Sequence, residues 1–308
     1  MTASAEENTP VFTSTAPANE AAFASRDWAL FCSVSLIWGA SFLLIAESLE
    51  GFTPGVVTLV RVGFGALTLQ MLRRVFEPDG RIAVADRVRV FTLAMVWVAI
   101  PFTLFPIAQQ WVNSAVAGLL NGATPVFVAL VALVFLRNRP NVWQIVGLIA
   151  GFTGVALISL SSSADGGSQA QGVVLLLLAT VCYGFALNMT PPLQARYGAL
   201  TLMSSVLSFA TVAVVPYALV DLGDNQLTWQ PAIANVVLGV AGTGVAYWIM
   251  ANLVGRVGSL RASFITYLVP LVALVLGISL RGDEVGALAL IGAPLTLAGA
   301  FLASRRHR

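Results

Sequence analysis

Apolar stretches of 18–23 residues recur ten times along this chain, separated by short segments where Gly, Pro, Arg, Asp and Ser gather. Each is close to the roughly 20 residues that an α-helix needs to cross about 30 Å of hydrocarbon. The pattern predicts helices over 28–47, 54–72, 89–110, 114–136, 142–160, 172–190, 201–220, 231–253, 260–280 and 286–303. The connections are too short to hold a domain outside the membrane. Residues 1–27 are small, polar and acidic, and read as a disordered cytoplasmic tail; residues 304–308 form a short cytoplasmic C-terminal tail.

The hydrophobic pattern is also repeated. Trp38-Gly39 recurs as Tyr183-Gly184, Ala117 and Pro125 as Ala262 and Pro270, and Gly147 and Gly154 as Gly292 and Gly299, all at an offset of 145 residues. The expected repeats are 28–160 and 172–303, with five helices each. An odd number of crossings forces the second copy to enter the membrane from the opposite side. The predicted fold is therefore an all-α membrane protein of ten transmembrane helices arranged as two inverted five-helix repeats, the plan of a secondary transporter.

Composition agrees with this class and excludes others. The chain is 58% hydrophobic and 10% charged, where soluble domains carry about 25% charged residues. It has no lysine, which excludes a phosphate-binding P-loop and Schiff-base chemistry. The single histidine is His307, so a histidine metal site or a Ser-His pair is not expected. Cys32 and Cys182 lie inside predicted helices and read as packing residues. These features point away from an enzyme and imply no cofactor and no metal.

The arginines orient the chain. Arg26, the group from Arg73 to Arg89, Arg137, Arg139, Arg196, Arg256, Arg261 and the C-terminal three all fall on one face if there are ten crossings. Only Arg281 falls on the other face, and Arg61 lies within a helix. The positive-inside rule then places both termini in the cytoplasm. The net charge of +2 follows from basic loops beside anionic lipid and requires no nucleic acid.

With this topology, the chain resembles the drug/metabolite transporter superfamily in its ten-helix EamA-type branch. The resemblance rests on the aromatic-Gly pairs Trp38-Gly39 and Tyr183-Gly184, on Pro125 and Pro270 in the fourth helix of each half, on Gly282 followed by Asp283-Glu284, and on the basic Arg61 in the second helix. In the first half Arg137-Asn138-Arg139 stands where an acidic residue would be expected. The resemblance implies secondary transport of a small metabolite across a bacterial inner membrane, often as export. It also implies a pocket built from the first, third, fourth, sixth, eighth and ninth helices. The alternative class is a non-transporting membrane subunit or a lipid-handling protein.

The candidate site residues follow from scarcity and symmetry. Pro125 and Pro270 each free a backbone carbonyl on the preceding turn. Asn121, Thr124, Thr266 and Tyr267 lie within a turn of them. Trp38 and Tyr183 fall mid-helix, away from the interfacial belts where such residues gather, and could stack against a flat or cationic substrate. Tyr247 and Trp248, with Phe102 and Thr103 at the offset, form a second aromatic pair; Asn188 lies five residues past Tyr183. Arg61 is expected to pair with Glu47 within the membrane, either attracting a substrate carboxylate or closing the end away from the termini. The close glycines of the fifth helix could serve packing or a homodimer.

Overall fold

Backbone groups find no water in hydrocarbon, so an apolar run must satisfy them internally, and here each does so as a helix. The computed structural model describes residues 24–135, 142–163, 167–223, 225–257, 262 and 264–303. Ten helices stand where the pattern expects them: α1 (Ser25–Leu49), α2 (Pro54–Phe76), α3 (Val84–Ala108), α4 (Ser114–Phe135), α5 (Val142–Ser161), α6 (Gln169–Tyr197), α7 (Ala199–Val220), α8 (Trp229–Val254), α9 (Ile265–Arg281) and α10 (Ala287–Ala303). The first eight are long and apolar enough to cross a membrane; α9 and α10 are shorter. Helix α1 opens at Ser25, inside the expected tail. Residues 1–23 and 304–308 of the tails, Arg137-Asn138-Arg139 and Arg261 lie outside the described residues.

The halves interlock instead of standing side by side. Helix α1 packs on α9, and its counterpart α6 packs on α4; α2 packs on α7 and α5 on α10. Each pairing joins one repeat to the other and maps onto itself or a second pairing under the 145-residue offset. The aromatic-Gly pairs show the mechanism. A Cβ on Gly39 would lie 2.4 Å from Val272 Cγ1, and one on Gly184 would lie 2.9 Å from the carbonyl of Phe127. Val272 and Phe127 are themselves offset equivalents. Only the missing side chain lets α1 approach α9, and α6 approach α4, that closely.

The α5–α10 seam is tighter still. A Cβ on Gly154 would meet Thr296 N at 2.5 Å and the Gly292 carbonyl at 2.6 Å. The glycine stripe of α5 thus packs within the chain, Gly147 and Gly154 against α10 and Gly151 against Val126 of α4.

Helices α2 and α7 cap each other. Glu77, just past α2, accepts from the backbone N–H of Thr201 (2.9 Å) and from its hydroxyl (2.7 Å) at the start of α7. Asp221, just past α7, accepts from the N–H of Gly55 (2.7 Å) at the start of α2. A carboxylate satisfies open donors and complements the positive end of a helix. Asp283 does the same for α4, accepting from Ala115 N (2.8 Å). The Gly-Asp-Glu segment therefore has a visible structural role. Gly282 ends α9 in the left-handed conformation (φ 69°), and Asp283 then reaches the neighbouring helix.

Regular helix is interrupted at three central places. The α-helical ladder widens to π turns at Met95–Ala99 in α3 and at Val240–Val245 in α8, starting 145 residues apart. Helix α4 breaks between Asn121 and Thr124, where the Thr124 hydroxyl donates to the freed Asn121 carbonyl (2.7 Å). Such interruptions in membrane helices are frequent at functional sites.

Candidate functional site

Two buried apolar clusters fill the molecule. One is centred on α1, α4, α6 and α9, the other on α2, α3, α7 and α8. Trp38 and Tyr183 pack against both and thus sit at their junction. Their positions follow directly from the glycines beside them, which draw α1 and α6 inward.

Arg61 lies on the second cluster's side of this junction and is 6% exposed. Its guanidinium sits over the Phe102 ring at 3.8 Å, and its Nε donates to Thr243 Oγ1 (3.2 Å). Thr243 in turn donates to the Leu238 carbonyl (3.1 Å), five residues back, a bond that the π turn of α8 makes available. Tyr183 and Tyr247 are close enough to interact electrostatically with the guanidinium. Tyr247 is packed edge-on against Trp38 (5.7 Å) and Trp97 (6.0 Å), and Tyr183 stacks on Phe105 (6.2 Å).

Among the described residues no carboxylate pairs with Arg61, and Nη1 and Nη2 donate to no protein group. An unpaired arginine at depth costs about 2.5–3.5 kcal/mol. The ring contact returns about 0.5–2 kcal/mol and the Thr243 bond about 1.5–3 kcal/mol. The cation is therefore tolerable, but most of its donor capacity is unused. The frame around it is symmetric: Trp38 matches Tyr183, and Phe102 matches Tyr247. The charge is not, because Val206 stands at the offset from Arg61.

The expected Arg61–Glu47 pair is replaced by another. Glu47 binds Arg281 Nη1 at 2.7 Å and accepts from Gln230 (3.3 Å), while Glu50 takes Arg281 Nη2 at 2.6 Å. The reason is packing: α1 lies chiefly against α9 and α8, so the acid at its end meets the end of α9 and not its sequence neighbour α2. Beside this cluster, Glu50, Gln109, Asn113, Ser114 and Arg281 line a cavity of about 440 Å³. The Gln109 carboxamide is buried and has no hydrogen-bond partner.

The remaining candidates divide. Asn121, Thr124 and Pro125 form the break in α4, and Pro270 of α9 packs against it, so that a Cβ on Gly122 would lie 2.7 Å from Pro270 Cγ. Pro270 of the second repeat thus packs into the break of the first repeat's fourth helix. Asn188 donates to the carbonyls of Val128 (3.1 Å) and Gly184 (2.8 Å), tying α6 to α4 instead of lining the Arg61 site. Tyr267, one residue past Thr266, has its ring against Phe264 and Phe301, the latter on α10. Trp248 stacks on Phe76 at the end of α2, unlike its neighbour Tyr247. Trp97, Phe105 and Thr243 were not expected at the site. Trp97 carried the same signal as Trp38, a mid-helix tryptophan; Thr243 carried none, since threonine is common in membrane helices. Both cysteines are free thiols.

Comparison with known proteins agrees with this architecture. A solved crystal structure superposes with a TM-score of 0.60 at 17% identity, covering 92% of this chain and 97% of that one, which shows a shared fold. An uncharacterized transporter of Archaeoglobus fulgidus is 24% identical over 92% of this chain and all of its own length. A probable terminal-alkyne amino-acid exporter of Streptantibioticus cattleyicolor is 28% identical, covering 91% of this chain and 93% of that protein. The EamA-like transporter family matches twice, over residues 28–160 and 170–305. This multi-pass membrane protein, with its two interlocked five-helix halves, belongs to the EamA-like transporter family.

Proposed function

We propose that the protein is a secondary transporter that exports a small metabolite, amino acid-like or drug-like, across the bacterial inner membrane by alternating access. The observation that carries this reading is the Arg61 group: a buried, unpaired cation inside a symmetric aromatic frame, where the two halves meet. In an inverted-repeat transporter the substrate is held at that interface while the halves rock around it. The matched π turns of α3 and α8 flank the frame and supply backbone that can adjust without breaking a helix. The name of the amino-acid exporter among its relatives supports export of a small organic solute. Both termini are read as cytoplasmic, on the face that bears Arg26, Arg73, Arg74, Arg81, Arg87, Arg89, Arg196 and Arg256. The Arg281–Glu47–Glu50 cluster and its cavity then belong to the periplasmic mouth.

The test is counterflow of labelled amino acid-like solutes in proteoliposomes, with a tolerance screen of cells that overproduce the protein. Transport is expected for the native chain and strongly reduced transport for Arg61→Ala and Asn121→Ala. Absence of counterflow for every solute, with no phenotype in the screen, would count against transport. Reporter fusions at the C-terminus test the topology: phosphatase activity there would place it outside the cytoplasm.

A further inference from the structure

Arg61 offers more than a positive charge. Its Nε is held by Thr243 and its face by Phe102, so the guanidinium is fixed in direction while Nη1 and Nη2 remain open. Tyr183 and Tyr247 lie within electrostatic reach of it, Tyr183 stacked on Phe105 and Tyr247 edge-on against Trp38, and neither hydroxyl makes a hydrogen bond to a described residue. Donors from three helices thus gather where no protein acceptor is present. Among the described residues the sealed side-chain atoms without a partner belong to Gln109 and Asn235, so the Arg61 and tyrosine donors are not sealed in and can meet an acceptor supplied from outside.

The charge balance restricts that acceptor. No acidic side chain interacts with Arg61. Most of the described carboxylates are committed elsewhere: Asp27 to Arg256, Asp86 to Arg196, Glu47 and Glu50 to Arg281, and Glu77, Asp221 and Asp283 to helix starts. The site therefore has a cation for a carboxylate but no carboxylate for an ammonium group. The aromatic faces around it suit a flat or apolar body.

Resting on the transport reading above, we infer that the site selects organic monoanions, a carboxylate on an apolar or aromatic body with no free ammonium, over the corresponding zwitterions. The carboxylate binds Nη1 and Nη2 side by side, with the two tyrosine hydroxyls donating to it, and the body lies against Trp38. A guanidinium matches the planar carboxylate in this two-pronged manner better than a point charge would.

The experiment uses the full-length protein in nanodiscs and three ligands that share one ring: N-acetylphenylalanine, phenylalanine and phenylalaninamide. Binding is read by calorimetry and by quenching of tryptophan fluorescence. N-acetylphenylalanine should bind at least tenfold tighter than phenylalanine, and phenylalaninamide should not saturate. Inorganic phosphate should not compete, because it lacks the apolar body. Arg61→Gln should remove the preference, Arg61→Lys should keep part of it, and Tyr183→Phe and Tyr247→Phe, which delete one oxygen each, should weaken N-acetylphenylalanine binding three- to tenfold. Equal binding of acid and amide, tighter binding of the zwitterion, or no saturable binding of N-acetylphenylalanine would overturn the inference. Binding is measured here without transport, so such a result leaves the counterflow test to decide the transport reading separately.

Discussion

Helices α2 and α7 occupy equivalent places in the two halves, pack on each other, and cap each other's starts with an acid, yet one carries Arg61 where the other carries Val206. Both positions are buried, at 6% and 0% exposure. The surroundings differ in a corresponding way. Arg61 meets the hydroxyl of Thr243 in the α8 π turn, whereas the equivalent π turn of α3 offers Val98. Interlocking the halves needs only features that both can share: glycines at crossings, caps at helix starts, aromatics at the junction. Recognising a solute needs a group present once. On the transport reading proposed above, the molecule keeps the two requirements on different residues.

The comparison can be broken hardest at a shared feature. Gly154→Val would push a side chain into the backbone of α10, which cannot move aside as a side chain could. Overpacking of this kind costs about 1–3 kcal/mol or more. Little monodisperse protein should be recovered by size-exclusion chromatography, whatever solute is present.

The next largest effect tests the asymmetry itself. In the double variant Arg61→Val with Val206→Arg, the charge moves to the mirror position, where Val98 supplies no hydroxyl. Transport should be lost, and the melting temperature should fall in line with about 2.5–3.5 kcal/mol for an unsupported intramembrane arginine. Recovery of native transport would mean that the two sides are interchangeable and that Thr243 is irrelevant.

A smaller contrast sharpens the same point. Thr243→Val removes the acceptor that orients Arg61 and should raise the apparent KM about three- to tenfold with little loss of protein, consistent with about 1.5–3 kcal/mol for a charged hydrogen bond, part of it recovered by relaxation. Val98→Thr should leave KM unchanged. Smallest of all are the reciprocal caps: Glu77→Gln and Asp221→Asn should each cost about 0.5–2 kcal/mol in thermal unfolding, and by similar amounts, since each serves one helix start.

Much of this was legible along the chain, and the failures are instructive. All ten helices were expected near their observed places, because hydropathy over 20 residues is decided locally. The clustered glycines of the fifth helix also pointed to close helix contact, which the α5–α10 seam makes at Gly147 and Gly154. Arg61 stood out as a charge two turns inside a helix. Its partner was misjudged because sequence neighbours were assumed to be spatial neighbours, whereas most contacts here join the two halves. Asn188 carried the residue type of a binding site but is used to hold α6 to α4.

The order of apolar runs, the one-sided arginines and the 145-residue offset determined by themselves that this is a ten-helix protein with inverted halves. Those properties depend on the free energy of placing each segment in hydrocarbon, which each segment carries with it. Which side chains share a space did not follow, since that depends on how helices rotate and tilt when glycines let them touch. Tertiary structure alone decided that Glu47 closes on Arg281, that Thr243 and Phe102 hold Arg61, and that Nη1 and Nη2 are left open. The inverted repeat builds the frame; the unmatched arginine inside it is what gives the frame a chemistry.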